Sequence, residues 1–296
     1  MFKLSNWKLL RISFSFYLLP VFLFALAHSP NLDGFRLLIV FLALHLFLYP
    51  SSNAYNSFFD KDELSIAGIK HPPKVTPGLL YLSFIFLFTA LVLGVWINLA
   101  FAGMVLLYAL VSMAYSHPAI RLKKYPFIGW ITAGFFQGLF TFAMAYAGLN
   151  GFGWNVFEKP HVLIPGLLTS LMILGNYPLT QVYQHEEDGR RGDRTMSLYL
   201  GYTGTFVFSS IWFLIAGAGF IYYFLGQSQI WAVWAFLAGV APAILFFYTW
   251  FYFVRQNAEK YATYPWAMWM IRLSALGLNV FFAYYFLERT QVLQVI

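Results

Sequence analysis

The sequence predicts an all-α, polytopic membrane protein: a nine-helix transmembrane bundle, one domain over residues 1–296, with charged loops capping its cytoplasmic end. Three observations carry this expectation. The 296 residues are 60% hydrophobic and 22% aromatic but only 10% charged, which excludes a disordered chain and departs far from an ordinary soluble domain. The apolar residues fall in stretches of about 20, the length that crosses a hydrocarbon layer as helix. The Lys and Arg residues gather in alternate connections, as the positive-inside rule requires of a polytopic protein.

The stretches run 9–27, 36–56, 78–97, 99–116, 126–148, 162–182, 204–225, 230–254 and 265–287. Residues 1–28 have a basic head and end near Ala25-Leu26-Ala27, like a cleavable signal, but their apolar part is longer than a signal needs and is read as the first span. Pro20, Pro165, Pro178 and Pro242 lie inside spans, where neighbouring helices can satisfy the freed carbonyls. Gly134, Gly138, Gly217 and Gly219 are expected to let helices pack closely. With the N-terminus cytoplasmic, fourteen Lys and Arg lie inside and only Arg36, Lys159 and Arg289 outside, with Arg272 within the last span. The expected setting is a bacterial cytoplasmic membrane, with the N-terminus and the charged loops cytoplasmic and the C-terminus external. There is no Cys, hence no disulfide framework, thiolate metal site or Cys nucleophile. The net charge of +7 includes no long basic run, which sets nucleic acid aside. Nothing in the sequence points to a protein partner.

Seven of the eleven acidic residues (Asp60, Asp62, Glu63, Glu186, Glu187, Asp188 and Asp193) sit in the connections after the second and sixth spans. Positive-inside topology explains bases, not carboxylates gathered at two helix ends. The two segments also match. Asn53-Ala-Tyr55-Asn56-Ser-Phe-Phe-Asp60 and Gln181-Val-Tyr183-Gln184-His-Glu-Glu-Asp188 both read amide, any residue, Tyr, amide, three residues, Asp. Positions i, i+3 and i+7 share a helix face. Asn53, Asn56 and Asp60 therefore form one polar stripe, and Gln181, Gln184 and Asp188 another, on two helices that suit a pseudo-symmetric site. Oxygen-rich stripes suit a hard cation such as Mg2+, which takes one or two carboxylates and fills its shell with water and phosphate oxygens. The neighbouring Lys and Arg favour a phosphate. A metal-bound lipid diphosphate, head at the membrane face and tail in the bilayer, fits both.

At this point the chain resembles a UbiA-superfamily intramembrane prenyltransferase. Asn53 to Glu63 is similar to that family's first aspartate-rich motif, aligned at Asn56 and Asp60. Tyr115-Ser-His-Pro118-Ala-Ile-Arg121-Leu-Lys123-Lys124-Tyr-Pro126 resembles its Tyr-Ser-x-Pro and basic segment. Gln184 to Thr195, closing at Leu200-Gly201, resembles the second motif. Ser57, Leu64 and Gln184 stand where the family has aspartates, so only Asp60 and Asp188 of five align directly, with Glu63, Asp62 or Glu187 as replacements.

The resemblance implies transfer of a polyprenyl group from an allylic prenyl diphosphate to an aromatic or other lipophilic acceptor, assisted by Mg2+. It implies Asp60, Asp188, Arg121 and Lys124 as catalytic residues and Asp60, Glu63, Glu187 and Asp188 as metal ligands. Asn53, Asn56, Lys70, Tyr115, Lys123, Gln181, Gln184 and Arg194 are the expected substrate-binding residues. Tyr55, Tyr115 and Tyr183 are the aromatics nearest the motifs that could steady an allylic cation. A transporter is a rival class, but it would place charges deep in broken helices. A non-catalytic binder of lipid diphosphate within the same family is the alternative that the missing aspartates raise.

Overall fold

A computed structural model describes residues 3–292 of the chain. Among the described residues there is no strand beyond an isolated bridge between Ile66 and Ile69. A bent pair opens the bundle: α1 (Leu4–Leu9), a 3-10 segment (Ile12–Tyr17) and α2 (Leu19–Ala27), with 44° between the arms. Then come α3 (Gly34–Asp60), α4 (Gly78–Ile97), α5 (Leu99–Ser116), α6 (Pro126–Asn150), α7 (Pro160–Leu179), the short α8 (His185–Arg191), α9 (Met196–Gly226), α10 (Ile230–Gln256) and α11 (Tyr264–Thr290). Eight helices among the described residues are long and apolar enough to cross a membrane, and the bent pair makes a ninth.

The first span is thus not one helix from residue 9 to 27. Arg11 takes a left-handed conformation (φ 47°), which ends α1. Pro20 sits in the first turn of α2, where its missing N–H is no loss. Two other helices carry irregular turns at mid-length: α3 is π-helical over Leu42–Leu48 and α6 over Phe136–Phe140. Gly201, with φ 67° and ψ 176°, breaks α9 one turn after its start, a conformation open to glycine and few other residues.

Close packing rather than hydrophobic sorting joins helices in lipid. At the α10–α11 crossing a Cβ on Gly277 would stand 2.0 Å from the Gly239 carbonyl oxygen. Gly134 and Gly138 press α6 onto α7, where a Cβ would meet Leu174 at 2.2 Å and Ser170 at 2.4 Å, and Gly219 presses on Leu168. Gly217 does not share that role, since it meets nothing within 4 Å. Phe24, Phe142, Phe220, Phe224, Phe281 and Tyr285 fill a buried aromatic core between α2, α6, α9, α10 and α11. That core closes the bundle at the end away from the acidic connections.

Candidate active site

Three connections meet at one end of the bundle, and ion pairs tie them together. Asp60 closes α3, with Lys61 in a left-handed cap (φ 50°) turning the chain away. Arg121, also left-handed (φ 48°), follows α5. Its guanidinium grips Asp193, beyond α8, in bidentate fashion: Nε donates to Oδ1 at 2.7 Å and Nη2 to Oδ2 at 2.6 Å. The same Nη2 lies 3.3 Å from Asp60 Oδ1, and Lys123 Nζ donates to Asp60 Oδ2. Arg191 Nη2 donates to Asp62 Oδ1 at 2.6 Å and to Glu187 Oε1 at 2.5 Å, and Glu187 Oε1 also accepts from the Glu63 backbone N–H at 2.8 Å. The bonds to Asp193 and Asp60 hold Arg121 above its ordinary pKa. Burial and the neighbouring Asp60 charge push the Asp62 carboxyl up, against the pull of Arg191.

Beneath this lattice of charges opens a cavity of about 320 Å³. Its mouth is lined by Arg11, Asn53, Asn56, Asp60, Asp62, Lys123, Gln184, Asp188 and Arg191. Tyr115, Asn176 and Tyr177 line it near the ends of α5 and α7, and its deeper wall carries Tyr49, Tyr108, Gln137 and the apolar Met172, Phe220, Leu278 and Phe282. Asp188 Oδ2 accepts from Thr195 Oγ1 at 3.0 Å, and Asn56 Nδ2 donates to Ser116 Oγ at 2.8 Å. Tyr115 and Tyr177 share a hydroxyl–hydroxyl hydrogen bond.

The two amide stripes reach this cavity by different routes. Asn53, Asn56 and Asp60 lie on continuous helix, as their spacing suggests. Gln181, Gln184 and Asp188 do not: α7 stops at Leu179, just after Pro178, and a 3-10 turn (Val182–Gln184) leads into α8. All three still line the cavity, although the Gln181 amide oxygen is taken by the Ser197 backbone N–H at 3.1 Å.

Several expected residues stand elsewhere. Lys124, the expected catalytic lysine, is exposed; its carbonyl accepts from the Arg194 N–H, and its neighbour Lys123 enters the cavity instead. Lys70 is exposed in its loop, and Arg194 is exposed with its guanidinium over the Tyr199 ring. Arg121 is not part of the cavity wall; it braces Asp60 from behind. The expected metal set of Asp60, Glu63, Glu187 and Asp188 is not brought together, and among the described residues no three His, Asp or Glu side chains converge as a metal cluster. Glu63 is exposed and Glu187 is engaged by Arg191, whereas Asp62 does line the cavity. Tyr55 packs on Phe59 and Phe84, and Tyr183 on Tyr264, so Tyr115 alone of the three expected aromatics lines the wall.

The sequence reading also missed residues. Arg11 reaches the mouth because the bend after α1 swings it there, and its guanidinium donates to the carbonyls of Asn53 (3.4 Å) and Ala67 (3.3 Å). Gln137 and Asn176 lie within spans, and a lone amide inside an apolar helix was the signal available for each.

A sequence model of the UbiA prenyltransferase family matches residues 17–274. The chain belongs to the UbiA prenyltransferase family. It is an integral membrane protein of that family's fold. A UbiA homologue from Archaeoglobus fulgidus, solved bound to DMAPP and Mg2+, has 17% identity and a TM-score of 0.69, covering 99% of this chain and 100% of that one. The same homologue bound to GPP and Mg2+ gives 19% identity and a TM-score of 0.68, covering 97% and 99%. A structure concerned with digeranylgeranylglyceryl phosphate synthase in membranes matches at 19% identity and TM-score 0.59, covering 95% and 98%. Identities this low speak for the shared fold. No curated protein matches the sequence.

Proposed function

We propose that the chain transfers a polyprenyl group from an allylic prenyl diphosphate to an aromatic or other lipophilic acceptor, within a membrane and with Mg2+. One observation carries this reading: carboxylates and bases share the mouth of a single cavity whose deeper wall is largely aromatic and aliphatic. That gradient suits a ligand with a polyanionic head and an apolar tail. The UbiA homologues solved with DMAPP or GPP and Mg2+ support it.

The residues present fit Mg2+. Asp60 and Asp188 face one cavity, Asp60 Oδ1 has no well-formed hydrogen bond, and Mg2+ asks for one or two carboxylates besides phosphate and water. Asp60 and Asp188 would hold the ion, with Asp62 nearby. Bound there, Mg2+ would neutralise charge building on the departing diphosphate. Lys123 donates to Asp60 in this structure, and a cation held at Asp60 would leave its ammonium free for a phosphate oxygen. Arg191 and Arg11 add positive charge at the mouth, while Asn53, Asn56 and Gln184 offer amides to the head group. Arg121, anchored on Asp193, keeps Asp60 in place. In the reaction the bond between the allylic carbon and the diphosphate oxygen breaks. The oxygen keeps the electron pair, the acceptor's nucleophilic atom bonds to the carbon, and the acceptor gives up a proton.

Ser57, Leu64 and Gln184 in place of family aspartates favour a second reading, a lipid-diphosphate binder without turnover. One experiment separates the two. Purified protein in lipid nanodiscs receives a radiolabelled prenyl diphosphate, Mg2+ and a panel of lipophilic acceptors. Prenylated product with matching diphosphate release supports transfer. Tight donor binding with no product on any acceptor supports the binder. The excess of Lys and Arg in the connections after α3, α5 and α7 supports a cytoplasmic placement of the site loops.

A further inference from the structure

Asp188 reaches the cavity on α8, a helix of only seven residues. A helix that short has little stability of its own, so its direction comes from what it rests on. Among the described residues the Asp188 carboxylate has no ion pair and one hydrogen bond, from Thr195 Oγ1 at 3.0 Å. Thr195 is the N-cap residue of α9, where a hydroxyl ordinarily accepts from the N–H of the second or third helical residue. It makes no such bond. The second helical residue is Ser197, and its N–H goes to the Gln181 amide oxygen at 3.1 Å instead. Gln181 thus caps α9 from the end of α7 and leaves Thr195 to hold Asp188.

Ser197 is fully buried and joins three segments. Its Oγ is 2.7 Å from His185 Nε2, at the start of α8, and 3.0 Å from Thr205 Oγ1, beyond the break at Gly201. Thr205 Oγ1 in turn donates to the Gly201 carbonyl at 2.7 Å and lies 3.3 Å from the Ser197 carbonyl. With the His185 proton on Nε2, a chain from His185 to Ser197, to Thr205 and on to the Gly201 carbonyl uses each proton once. The His185 ring also stacks on Tyr202, with centroids 4.4 Å apart and 15° between planes.

The backbone shows why these bonds matter. Gly201 is not helical, so residues 196–200 do not inherit the direction of the long helix behind them. Side chains fix that turn instead: Thr205 from beyond the break, His185 and Gln181 from the other side. His185 and Asp188 are three residues apart and share a face of α8. That face binds the N-terminus of α9 twice, His185 at Ser197 and Asp188 at Thr195. Only the Asp188 half of this double contact opens onto the cavity, since His185 and Ser197 do not line it.

We propose that His185 is a positioning residue: through its bond to Ser197 it locks α8 onto the N-terminus of α9 and so keeps Asp188 at the cavity mouth. The lock acts on the carboxylate and touches neither substrate. Without it, Asp188 would hang from Thr195 alone on a helix too short to hold its own direction. The consequence for the metal ion rests on the reading of Asp188 as its ligand; the lock itself does not.

The test uses purified full-length protein in nanodiscs and two readouts. Spin labels on Gly189→Cys and Gly226→Cys, positions where an added Cβ meets nothing within 4 Å, report the placement of α8 against α9 with no ligand present. Titration calorimetry in the presence of geranyl thiolodiphosphate reports Mg2+ affinity. His185→Phe keeps a ring on Tyr202 and removes the bond to Ser197. It should at least double the width of the spin-label distance distribution and weaken Mg2+ binding at least tenfold. His185→Gln, whose amide N–H can stand where the Nε2–H stood, should bring both readouts back to within twofold of the wild type. Ser197→Ala removes the partner and should reproduce His185→Phe, which keeps the proposal falsifiable if a histidine variant fails to fold. In an Asp188→Asn background, His185→Phe should change Mg2+ affinity less than twofold, because the ligand it positions is gone. An unchanged distance distribution in His185→Phe and Ser197→Ala overturns the proposal. So does an equal loss of Mg2+ affinity with and without Asp188, which would make His185 part of the general framework. A widened distribution with Mg2+ affinity unchanged in both His185→Phe and Asp188→Asn would instead defeat the metal reading of Asp188 and leave the lock standing.

Discussion

Two adjacent lysines offer a sharp test, because the structure gives them opposite surroundings. Lys123 lines the cavity and donates to Asp60; Lys124 is exposed and makes hydrogen bonds only through its backbone, its N–H to the Arg121 carbonyl and its carbonyl from the Arg194 N–H. Lys123→Met removes an ammonium from the place where phosphate charge would build. Loss of one such preorganised donor costs about 2.7–4 kcal/mol at the transition state, or about 10²–10³ in turnover. The fold should survive, because Asp60 keeps Arg121 Nη2 at 3.3 Å and is not left as an unpaired buried charge. Lys124→Met is a surface change, expected within about 0.5 kcal/mol and so within about twofold. The assay is product formation from a labelled prenyl diphosphate in nanodiscs over a range of donor concentrations, reporting kcat and KM separately. Lys123→Met should lower kcat more than it raises KM. Comparable losses in both variants, or a larger loss in Lys124→Met, would refute the assignment of the cavity's mouth as the diphosphate site.

Three further expectations belong with it. Asp60→Asn and Asp188→Asn should each lower turnover by at least about tenfold, and full activity with unchanged Mg2+ dependence in either would remove that residue from the metal site. Gln184→Asp adds a carboxylate at the mouth, where Gln184 stands in place of a family aspartate, and should tighten divalent-metal binding measured by titration calorimetry with a donor analogue present; weaker binding would contradict the one-ion site drawn from Asp60 and Asp188. Ala67→Cys and Asn155→Cys, introduced singly into this Cys-free chain, should react with an impermeant thiol reagent from opposite sides of sealed vesicles, and labelling from the same side would refute the topology.

Hydropathy made the spans legible, because burial in lipid is a property summed over twenty residues. It could not show the break at Arg11, which depends on one left-handed residue, or the two π-helical turns, which add a residue without changing composition. The matching amide stripes both line one cavity, but the shared-helix-face argument that paired them holds for one stripe only. Asn53, Asn56 and Asp60 share a helix, whereas Gln181 and Gln184 reach the cavity through a 3-10 turn after Pro178. Spacing could not distinguish Lys123 from Lys124, since which of two neighbours points inward depends on the turn that Arg121 makes. The pairing of Arg121 with Asp193, and of Arg191 with Asp62, joins connections more than 70 residues apart and has no local signal.

The central claim is that one cavity mouth, built from the connections after α3, α5 and α7, holds the donor's diphosphate. A structure of the protein with geranyl thiolodiphosphate and Mg2+ tests it most directly. The account predicts diphosphate density between Asp60, Asp188 and Lys123, with the Lys123 ammonium moved from Asp60 to a phosphate oxygen and the geranyl chain descending into the cavity. Diphosphate density outside this mouth, or a bound head group with Lys123 still on Asp60 and no ion beside the aspartates, would contradict it.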